Sequence, residues 1–220
     1  AGDLHIHDLE YFGTRPFCLD GSTRIRIEEE KTITTARSDG GVQYLVEEKV
    51  KVKNVLSLSS LPFRYDDELI FNLGQVSVLT PMGYRSIIKA TRRMVHPGEL
   101  LKIQTISGKT LLVTKEHRIP VNTPDGMEIK KACHLDVGDF LFSFADFTHE
   151  ELSEFKSSAN KEIICQIEET NALSDYVYDL FLQNGEDELS HTFFTEEGLL
   201  VHNCQDWDLR YFLYYGLMPD

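Results

Sequence analysis

The stretch GLLVHNC at residues 198–204 decides what kind of domain this chain forms. Its apolar part predicts a buried strand at 199–201. That strand runs directly into His202, Asn203 and Cys204. A histidine, an amide and a thiol are poor strand or core residues in that order. The order therefore indicates a reactive peptide bond held at the end of a rigid strand.

Asn203 has a specific chemical use beside a thiol. Its side-chain amide nitrogen can attack its own main-chain carbonyl carbon and break the peptide bond to Cys204. His202 can polarise that carbonyl or protonate the leaving amine. The pattern therefore predicts self-cleavage between residues 203 and 204.

A second thiol, Cys18, opens another strand-like run far upstream. Its sulfur can attack the carbonyl of Phe17 if that peptide bond is strained, and so convert the amide into a thioester. Cys204 can capture the acyl group, because thiol–thioester exchange is nearly balanced. Cyclisation of Asn203 and a final rearrangement would join Phe17 to Cys204 and excise residues 18–203.

Two further sites match the needs of this chemistry. The first junction needs a donor that protonates the departing nitrogen, and TKEH supplies Thr114 and His117 just after a predicted strand. An acid/base group is also needed between the two thiols, and Asp179 in YDLF is a candidate. A purely structural, hydrogen-bonded Asp179 is the alternative.

Composition narrows the class of protein. The 220 residues are 41% hydrophobic and 26% charged, which suits one globular domain with appendages. The formal net charge of −14 disfavours nucleic acid as a partner, because phosphates need a basic face and the densest basic stretch, 89–93, is short. No run approaches the roughly 18 apolar residues of a membrane helix.

The four cysteines, Cys18, Cys133, Cys165 and Cys204, form neither a CxxC pair nor a disulfide framework. We expect Cys133 and Cys165 to be core or surface thiols in a cytoplasmic protein. Because the chemistry is intramolecular, we expect a monomer that needs no cofactor, metal or partner and binds neither nucleic acid nor membrane. The N-terminus shows no signal peptide, and its start at Ala1 predicts an excised or processed piece.

Short apolar or alternating runs between turn residues predict an all-β fold. Hairpins are predicted at 98–114 and 191–201, two strands joined by a turn at 23–54 and at 76–84, and a further turn within 122–132. Two stretches read as helices. The first, at about 148–158, has a capping-box pattern at Thr148 and Glu151 and predicts a solvated linker. The second lies at 206–215.

Together these residues resemble the inteins, self-splicing proteins of the hedgehog/intein fold. CLDGST at 18–23 resembles the opening motif of the family, and TKEH at 114–117 resembles its Thr-x-x-His block. VYDLFL at 177–182 resembles the block that carries an aspartate, and HTFFTEEGLLVHNC at 191–204 resembles the terminal block. The resemblance implies a horseshoe-shaped all-β fold.

The resemblance also implies roles at the first junction. Cys18 would be the first nucleophile. Thr114 and His117 would activate the first acyl shift, and Asp179 would coordinate the first two steps.

At the second junction the resemblance implies four further roles. His191 would assist asparagine cyclisation, and His202 would act beside it. Asn203 would cyclise, and Cys204 would accept the acyl group.

The resemblance divides the chain into a flank at 1–17, a splicing domain at 18–203 and a flank at 204–220. The linker at 145–162 is too short for a homing endonuclease, so a mini-intein is predicted. Two parts look longer than in a minimal member, the segment 30–74 and a hairpin at 184–190.

The two flanks, joined, resemble an anaerobic, glycyl-radical ribonucleoside-triphosphate reductase. They read HIHDLEYFGTRPF followed by CQDWDLRYFLYYGLMPD. His5 and His7 have the spacing of metal ligands but belong to this flank, so no metal role is assigned to them. Three hypotheses for the control of splicing follow: oxidation of Cys18 or Cys204, a metal that bridges these thiols with His202, or low temperature in a heat-adapted protein. An anaerobic host favours the first.

Two other functions stay open. A cysteine hydrolase could use Cys18, His117 and Asp179 for cleavage without ligation, although this leaves the adjacent Asn203 and Cys204 unexplained. A non-catalytic β binding module would leave the thiols without any chemical role.

Overall fold

The computed structural model describes residues 18–39, 41–64, 69–71, 73, 76–155, 162–183 and 188–203. Within these ranges the chain forms fifteen strands and five short 3₁₀ helices. The strands are β1 (Leu19–Asp20), β2 (Arg24–Asp39), β3 (Val42–Ser57), β4 (Leu69–Phe71), β5 (Val76–Thr80), β6 (Gly83–Met94), β7 (Leu100–Thr105), β8 (Thr110–Thr114), β9 (Arg118–Thr123), β10 (Gly126–Lys131), β11 (Phe140–Leu141), β12 (Glu162–Thr170), β13 (Tyr176–Leu182), β14 (Thr192–Phe194) and β15 (Leu200–His202). The 3₁₀ helices are Leu58–Ser60, Ala132–His134, Phe144–Asp146, Glu150–Phe155 and Glu188–His191.

One long antiparallel sheet contains most of these strands, in the order β10-β9-β11-β12-β7-β8-β1-β13-β6-β5-β2-β3, with β4 paired to β6. β14 and β15 form a separate two-stranded ladder. The predicted all-β architecture is confirmed. Both predicted hairpins are present, as β7–β8 and β14–β15, and the other three segments also form hairpins, as β2–β3, β5–β6 and β9–β10.

The main core lies under the middle of the sheet. β1 contributes Leu19 and β13 contributes Leu180, both fully buried, and the β14–β15 ladder adds Phe193 and Val201. Strands β1 and β13 are buried on both faces, which explains why VYDLFL is a nearly continuous apolar run rather than an alternating one. Asp179 is therefore a carboxyl group surrounded by core.

The β2–β3 hairpin is longer than the neighbouring strands that support it. Its inner end carries Ile25 and Ile27, which are fully buried, and these alternate with the charged Arg24 and Arg26 as predicted. β5 pairs with β2 only through residues 27–29. Beyond residue 29, therefore, no described strand pairs with β2 on the side away from β3.

We call residues 30–39 and 42–51 the β2–β3 arm. Its side chains are largely exposed, including Val42 and Leu45, which are 67% and 72% exposed. Ion pairs join its two strands, such as Lys49 to Glu30 at 2.6 Å. β3 is the last strand in the sheet order, so among the described strands its outer edge is open. The arm accounts for part of the extra length predicted at 30–74.

The predicted linker helix is shorter and tighter than expected. It is a 3₁₀ helix over Glu150–Phe155, and the predicted residues beyond 155 lie outside the described ranges. The Glu151 carboxylate accepts a hydrogen bond from the Tyr84 backbone amide at 3.2 Å, and the Glu151 amide donates to His149 Nδ1 at 3.3 Å rather than to Thr148. The expectation of a solvated linker was wrong at Leu152, which is fully buried.

Leu152 covers a second, smaller core. Its partners come from β5, the Phe144–Asp146 helix and the β14–β15 ladder, and they are Leu79, Phe144, Phe194 and Leu200. The turn between β14 and β15 fits against this cluster only with glycine at position 198. Gly198 has φ of 82°, and a Cβ there would lie 2.4 Å from the Phe144 ring. This packing fixes the path of the chain into β15.

Several predictions concern residues that are not described. The helical stretch at 206–215, the histidines at 5 and 7, and part of the lengthened hairpin at 184–190 lie outside the described ranges. No helix among the residues that are described is long and apolar enough to span a membrane.

A buried carboxylate ties the start of β12 to the turn between β7 and β8. Glu162 is 1% exposed, and its Oε1 lies 2.7 Å from Lys109 Nζ. Its Oε2 accepts hydrogen bonds from the hydroxyls of Thr105, at 2.9 Å, and Ser107. Burial alone would raise the pKa of Glu162, but Lys109 and the two hydroxyls outweigh burial and lower that pKa below its ordinary value.

We expect Glu162→Gln to lower the free energy of unfolding at neutral pH by about 1–3 kcal/mol, because charge-assisted hydrogen bonds are lost. The pKa of Glu162 is lower in the folded than in the unfolded chain. This stabilisation is therefore complete above the unfolded value of about 4.3 and is lost as the pH falls through the folded value. Urea unfolding at neutral pH and at about pH 3 measures the difference, which should shrink in acid.

Glu168→Gln is the matched control for Glu162→Gln. Glu168 pairs with Lys102 at 3.2 Å, but both side chains are partly exposed, so its loss should change stability much less. Equal effects of the two substitutions at neutral pH would contradict the role assigned to Glu162.

Candidate functional site

Cys18 lies between two strands that carry predicted site residues. β1 pairs with β8 through Leu19 and Val113, and with β13 through Leu19 and Tyr178. Continuing both antiparallel registers by one residue places Cys18 opposite Thr114 on one side and Asp179 on the other. The Cys18 side chain is buried, with 1% exposed.

Thr114 holds the main chain of Cys18 through both of its polar groups. The Cys18 amide donates to Thr114 Oγ1 at 3.1 Å, and the Thr114 amide donates to the Cys18 carbonyl at 2.9 Å. The Cys18 nitrogen would depart in an acyl shift, and it already contacts a hydroxyl that can return a proton. The predicted proximity of Thr114 to the first junction is thus present in the geometry.

His117 stands three residues after Thr114 in a tight turn. Its amide donates to the Thr114 carbonyl at 2.9 Å, and its own carbonyl accepts from the Ala132 amide at 2.7 Å. The side chain is fully buried. β9 begins at the next residue, and β9 packs against β15. His117 therefore lies between Thr114, which contacts Cys18, and the strand that contacts β15.

Asp179 occupies the middle of β13 and is 1% exposed. It stands opposite Thr91 of β6 in the register, and its Oδ1 accepts from the Leu180 amide at 2.8 Å. Cross-strand partners in an antiparallel sheet share a face, so the side chains of Asp179 and Cys18 leave the sheet on the same side. A carboxyl group beside a thiol in a buried site can exchange protons with it.

His191, His202 and Asn203 form a second cluster at the end of the β14–β15 ladder. His191 ends the Glu188–His191 helix, and His202 pairs with Thr192. The centroids of the two imidazole rings are 6.2 Å apart, and both residues are buried, with 6% and 2% exposed. The β14–β15 hairpin therefore places His191 beside His202, although His191 follows Asp179 by twelve residues in the sequence.

Asn203 is held at its main chain on both sides. Its amide donates to the His191 carbonyl at 2.6 Å, and its own carbonyl oxygen is hydrogen-bonded to His202 Nδ1. Asn203 is 3% exposed, and its side-chain Oδ1 is buried with no hydrogen-bond partner among the described residues. An imidazole that is hydrogen-bonded to this carbonyl oxygen polarises the carbonyl group. The carbonyl carbon then becomes easier for the side-chain amide to attack.

The chain from Thr114 into β9 connects the two clusters. β15 packs against β9, and its first residue, Leu200, donates its amide to the Phe142 carbonyl at 3.0 Å. Ser143 and Leu199 add an isolated bridge. The second cluster is thus attached to β9 and to the segment after β11, while Cys18 lies between β8 and β13.

Phe17 and Cys204 lie outside the described residues, so their predicted roles stay predictions. Cys133 and Cys165 are free and exposed, in agreement with surface thiols. Within the described ranges, no group of three or more His, Cys, Asp or Glu is placed to hold a metal ion.

Arg93 and Glu99 were missed in the sequence and lie beside the first junction. Arg93 is hydrogen-bonded to the Cys18 side chain, and its guanidinium makes a two-pronged ion pair with Glu99. In the sequence Arg93 is only the end of a short basic run. Its position two residues after Thr91 on β6 shows that it shares a face with Asp179, but this needs the β6–β13 register, which has no local signal.

Comparison with known proteins shows what the chain is similar to. No protein-family model matches the sequence. Two curated proteins, both components of A-type ATP synthases, are each 24% identical over 201 residues, one from Thermoplasma volcanium and one from Methanopyrus kandleri. The match covers 84% and 90% of this chain but only 24% and 17% of those proteins, so the chain spans a quarter or less of the relatives it matches.

Solved structures resemble the domain along most of its length. An intein from a hyperthermophile superposes with a TM-score of 0.58 at 15% identity, covering 85% of this chain and 99% of that one. The transcription factor IIB Mvu mini-intein gives a TM-score of 0.53 at 20% identity, covering 84% and 99%. These likenesses show that the chain has the all-β hedgehog/intein fold found in solved inteins.

Proposed function

We propose that this chain excises its own central domain and joins the two flanks. In the first step Cys18 Sγ attacks the Phe17 carbonyl carbon. The carbon–nitrogen bond breaks, and the nitrogen takes a proton with help from Thr114 and His117. The Cys204 thiolate then attacks the same carbonyl carbon and releases the Cys18 sulfur, so that the N-terminal flank moves to Cys204.

The second half frees the domain. Asn203 Nδ2 attacks its own carbonyl carbon, the bond to Cys204 breaks, and the leaving amine takes a proton while Asn203 becomes a succinimide. The freed Cys204 amine attacks the thioester beside it, which forms a peptide bond and regenerates the thiol. His202 and His191 assist the cyclisation, and Asp179 moves protons between the first two steps.

One observation carries this proposal. The Asn203 carbonyl oxygen is hydrogen-bonded to His202 Nδ1, at the end of a buried strand whose next peptide bond would be cut. A non-catalytic binding module would have no use for an amide, an imidazole and a thiol in this arrangement. The chain matches only a quarter or less of the length of the two curated relatives, which also suits a domain inserted into larger proteins.

Mass spectrometry of the purified full chain during incubation with a reductant tests the proposal. Splicing yields two products, residues 18–203 with a C-terminal succinimide and a 34-residue peptide in which 1–17 is joined to 204–220. A cysteine hydrolase would release 1–17 without the joined peptide. If the chain stays intact during this incubation, or is cleaved without forming the joined peptide, the proposal of self-splicing is overturned.

The division into a splicing domain at 18–203 and host flanks at 1–17 and 204–220 is part of the same proposal. The flanks lead us to propose an anaerobic ribonucleoside-triphosphate reductase in the cytoplasm as host. Sequencing the surrounding gene tests this: reductase sequence should continue in frame on both sides of the flanks.

A further inference from the structure

Arg93 is a largely buried cation held in a fixed orientation. Its Nη1 donates to Glu99 Oε2 at 2.9 Å and to the Met94 carbonyl at 3.0 Å, and its Nη2 donates to Glu99 Oε1. The side chains of Arg93 and Glu99 are only 16% and 7% exposed. Glu99 is itself fixed, because its Oε2 also accepts from the His96 amide at 3.0 Å.

The register of three strands brings this cation to the nucleophile. Arg93 of β6 stands opposite Val177 of β13, and Val177 stands opposite Asp20 of β1. Cross-strand partners share a face, and so do residues two apart along a strand. Arg93 therefore leaves the sheet on the same side as Cys18, and its guanidinium is hydrogen-bonded to the Cys18 sulfur. Val177 packs against Cys18 beneath them.

We propose that Arg93 is a further catalytic residue of the splicing reaction, because its guanidinium donates a hydrogen bond to the Cys18 thiolate, and that Glu99 is the positioning residue that holds it there. The role in splicing rests on the proposed function, but the effect on the Cys18 thiol can be measured without it. Attack on the Phe17 carbonyl requires the thiolate.

The interaction with Cys18 is one of those that set the pKa of Arg93. Burial alone would lower the pKa of Arg93, but the hydrogen bond with Glu99 and the charge of the Cys18 sulfur outweigh burial and raise that pKa above its ordinary value. Arg93 therefore stays charged throughout the working pH range and is available to a thiolate.

Other charged groups on this face act in the opposite direction. Asp179 and Asp20 flank Cys18 on β13 and β1, and Glu99 lies behind Arg93. Asp20 is engaged with the backbone amides of Ser22, Leu173 and Ser174, at 2.8 to 3.4 Å. Carboxylates near a buried thiol oppose its ionisation, and a cation in contact with the sulfur acts against them.

The expected kinetic effect is smaller than the effect on ionisation. A cation in contact can increase the thiolate fraction about tenfold, which corresponds to one pKa unit. A thiolate stabilised in this way is also less nucleophilic, by roughly threefold for that change. The net gain at neutral pH is about threefold, and it turns into a loss at a pH where the thiol ionises without help.

The first test is a titration of Cys18 itself. The full chain is prepared with Cys133→Ser, Cys165→Ser, Asn203→Ala and Cys204→Ala, so that Cys18 is the single thiol and both junctions stay intact. The ¹³Cβ signal of labelled cysteine then reports the thiolate fraction against pH. We expect Arg93→Met to reduce that fraction about tenfold near pH 7. A change below about twofold would overturn the proposal.

Arg92→Met is the matched control. Arg92 adjoins Arg93 but lies on the other face, over the rings of Phe63 and Tyr176 at 4.9 and 4.5 Å. The Arg92→Met variant loses the same charge at the neighbouring sequence position and should leave the Cys18 titration unchanged. An equal shift from both variants would indicate a general charge effect and also overturn the proposal.

Arg93→Met leaves Glu99 buried without its partner, which can unfold the chain. The double variant Arg93→Met, Glu99→Met removes both charges and should reproduce the shifted titration in a folded protein. Glu99→Gln should shift it part of the way, because the guanidinium stays but is held less firmly. A double variant that titrates like the parent would contradict the proposal.

Cleavage after Phe17 by an added dithiol gives the second readout. With Arg93→Met, in the chain that keeps Asn203→Ala and Cys204→Ala, we expect cleavage about threefold slower near pH 7 and a difference that reverses at high pH. A merely structural role would lower the rate by the same factor at every pH. If the parent chain shows no cleavage, the proposed function fails, while the titration still decides the role of Arg93.

Discussion

The variant Asn203→Ala releases no ligated product and stops as the branched chain or as a chain cleaved after Phe17. Alanine has no nucleophile for its own carbonyl, so the bond between residues 203 and 204 is broken only by uncatalysed hydrolysis. Gel electrophoresis and intact mass measurement over several days check this result. The first acyl shift should persist, because Cys18 and Thr114 lie in the other cluster.

Asn171→Ala controls for the loss of an asparagine. Asn171 is exposed in the loop between β12 and β13, so its side-chain amide is not part of either cluster, and its loss should leave splicing unchanged. Ligated product from Asn203→Ala at the rate of the parent would disprove the role of Asn203. His202 and the buried site around it would then need another explanation.

The second large effect is expected at the other end of the domain. Cys18→Ala forms no thioester and no branched chain, because no sulfur lies beside the Phe17 carbonyl. Slow cleavage after Asn203 should continue, since Asn203 and His202 are unchanged. A dithiol should no longer cleave after Phe17, and mass spectrometry should find residues 1–203 as the larger fragment.

Cys165→Ala is the control for removal of a thiol, because Cys165 is exposed on β12. It should splice like the parent. Circular dichroism of Cys18→Ala should match the parent, since the change removes one sulfur atom from a buried site. If Cys18→Ala still gave the joined 34-residue peptide, the first acyl shift could not be the entry to the reaction.

The hairpins could be predicted because their signals are local. Gly108 and Gly126 have positive φ at the β7–β8 and β9–β10 turns, and the apolar residues flanking these turns follow the strand pattern. The adjacent residues His202 and Asn203 could also be placed together at a strand end. In both cases the informative residues are close in sequence.

The arrangement around Cys18 could not be predicted in this way. β1 lies between β8 and β13, and β13 lies between β1 and β6, although these strands are far apart in the sequence. Nothing local specifies such pairings, so the neighbourhood of Arg93 and Cys18 became visible only in the structure. The burial of Leu152 was missed for the same reason, since its partners come from β5 and the β14–β15 ladder.

The open edge of β3 affects solubility. An unpaired strand is a template on which another chain can add, and repeated addition leads to aggregates. Along β3 the alternate residues Lys49, Lys51 and Lys53 bring positive charge to this strand, and Lys51 lies 2.8 Å from Glu28. A second β3 pairing with this edge would have to bring its own charged side chains beside these lysines and their glutamate partners. These charged side chains thereby oppose the pairing of two molecules along the open edge.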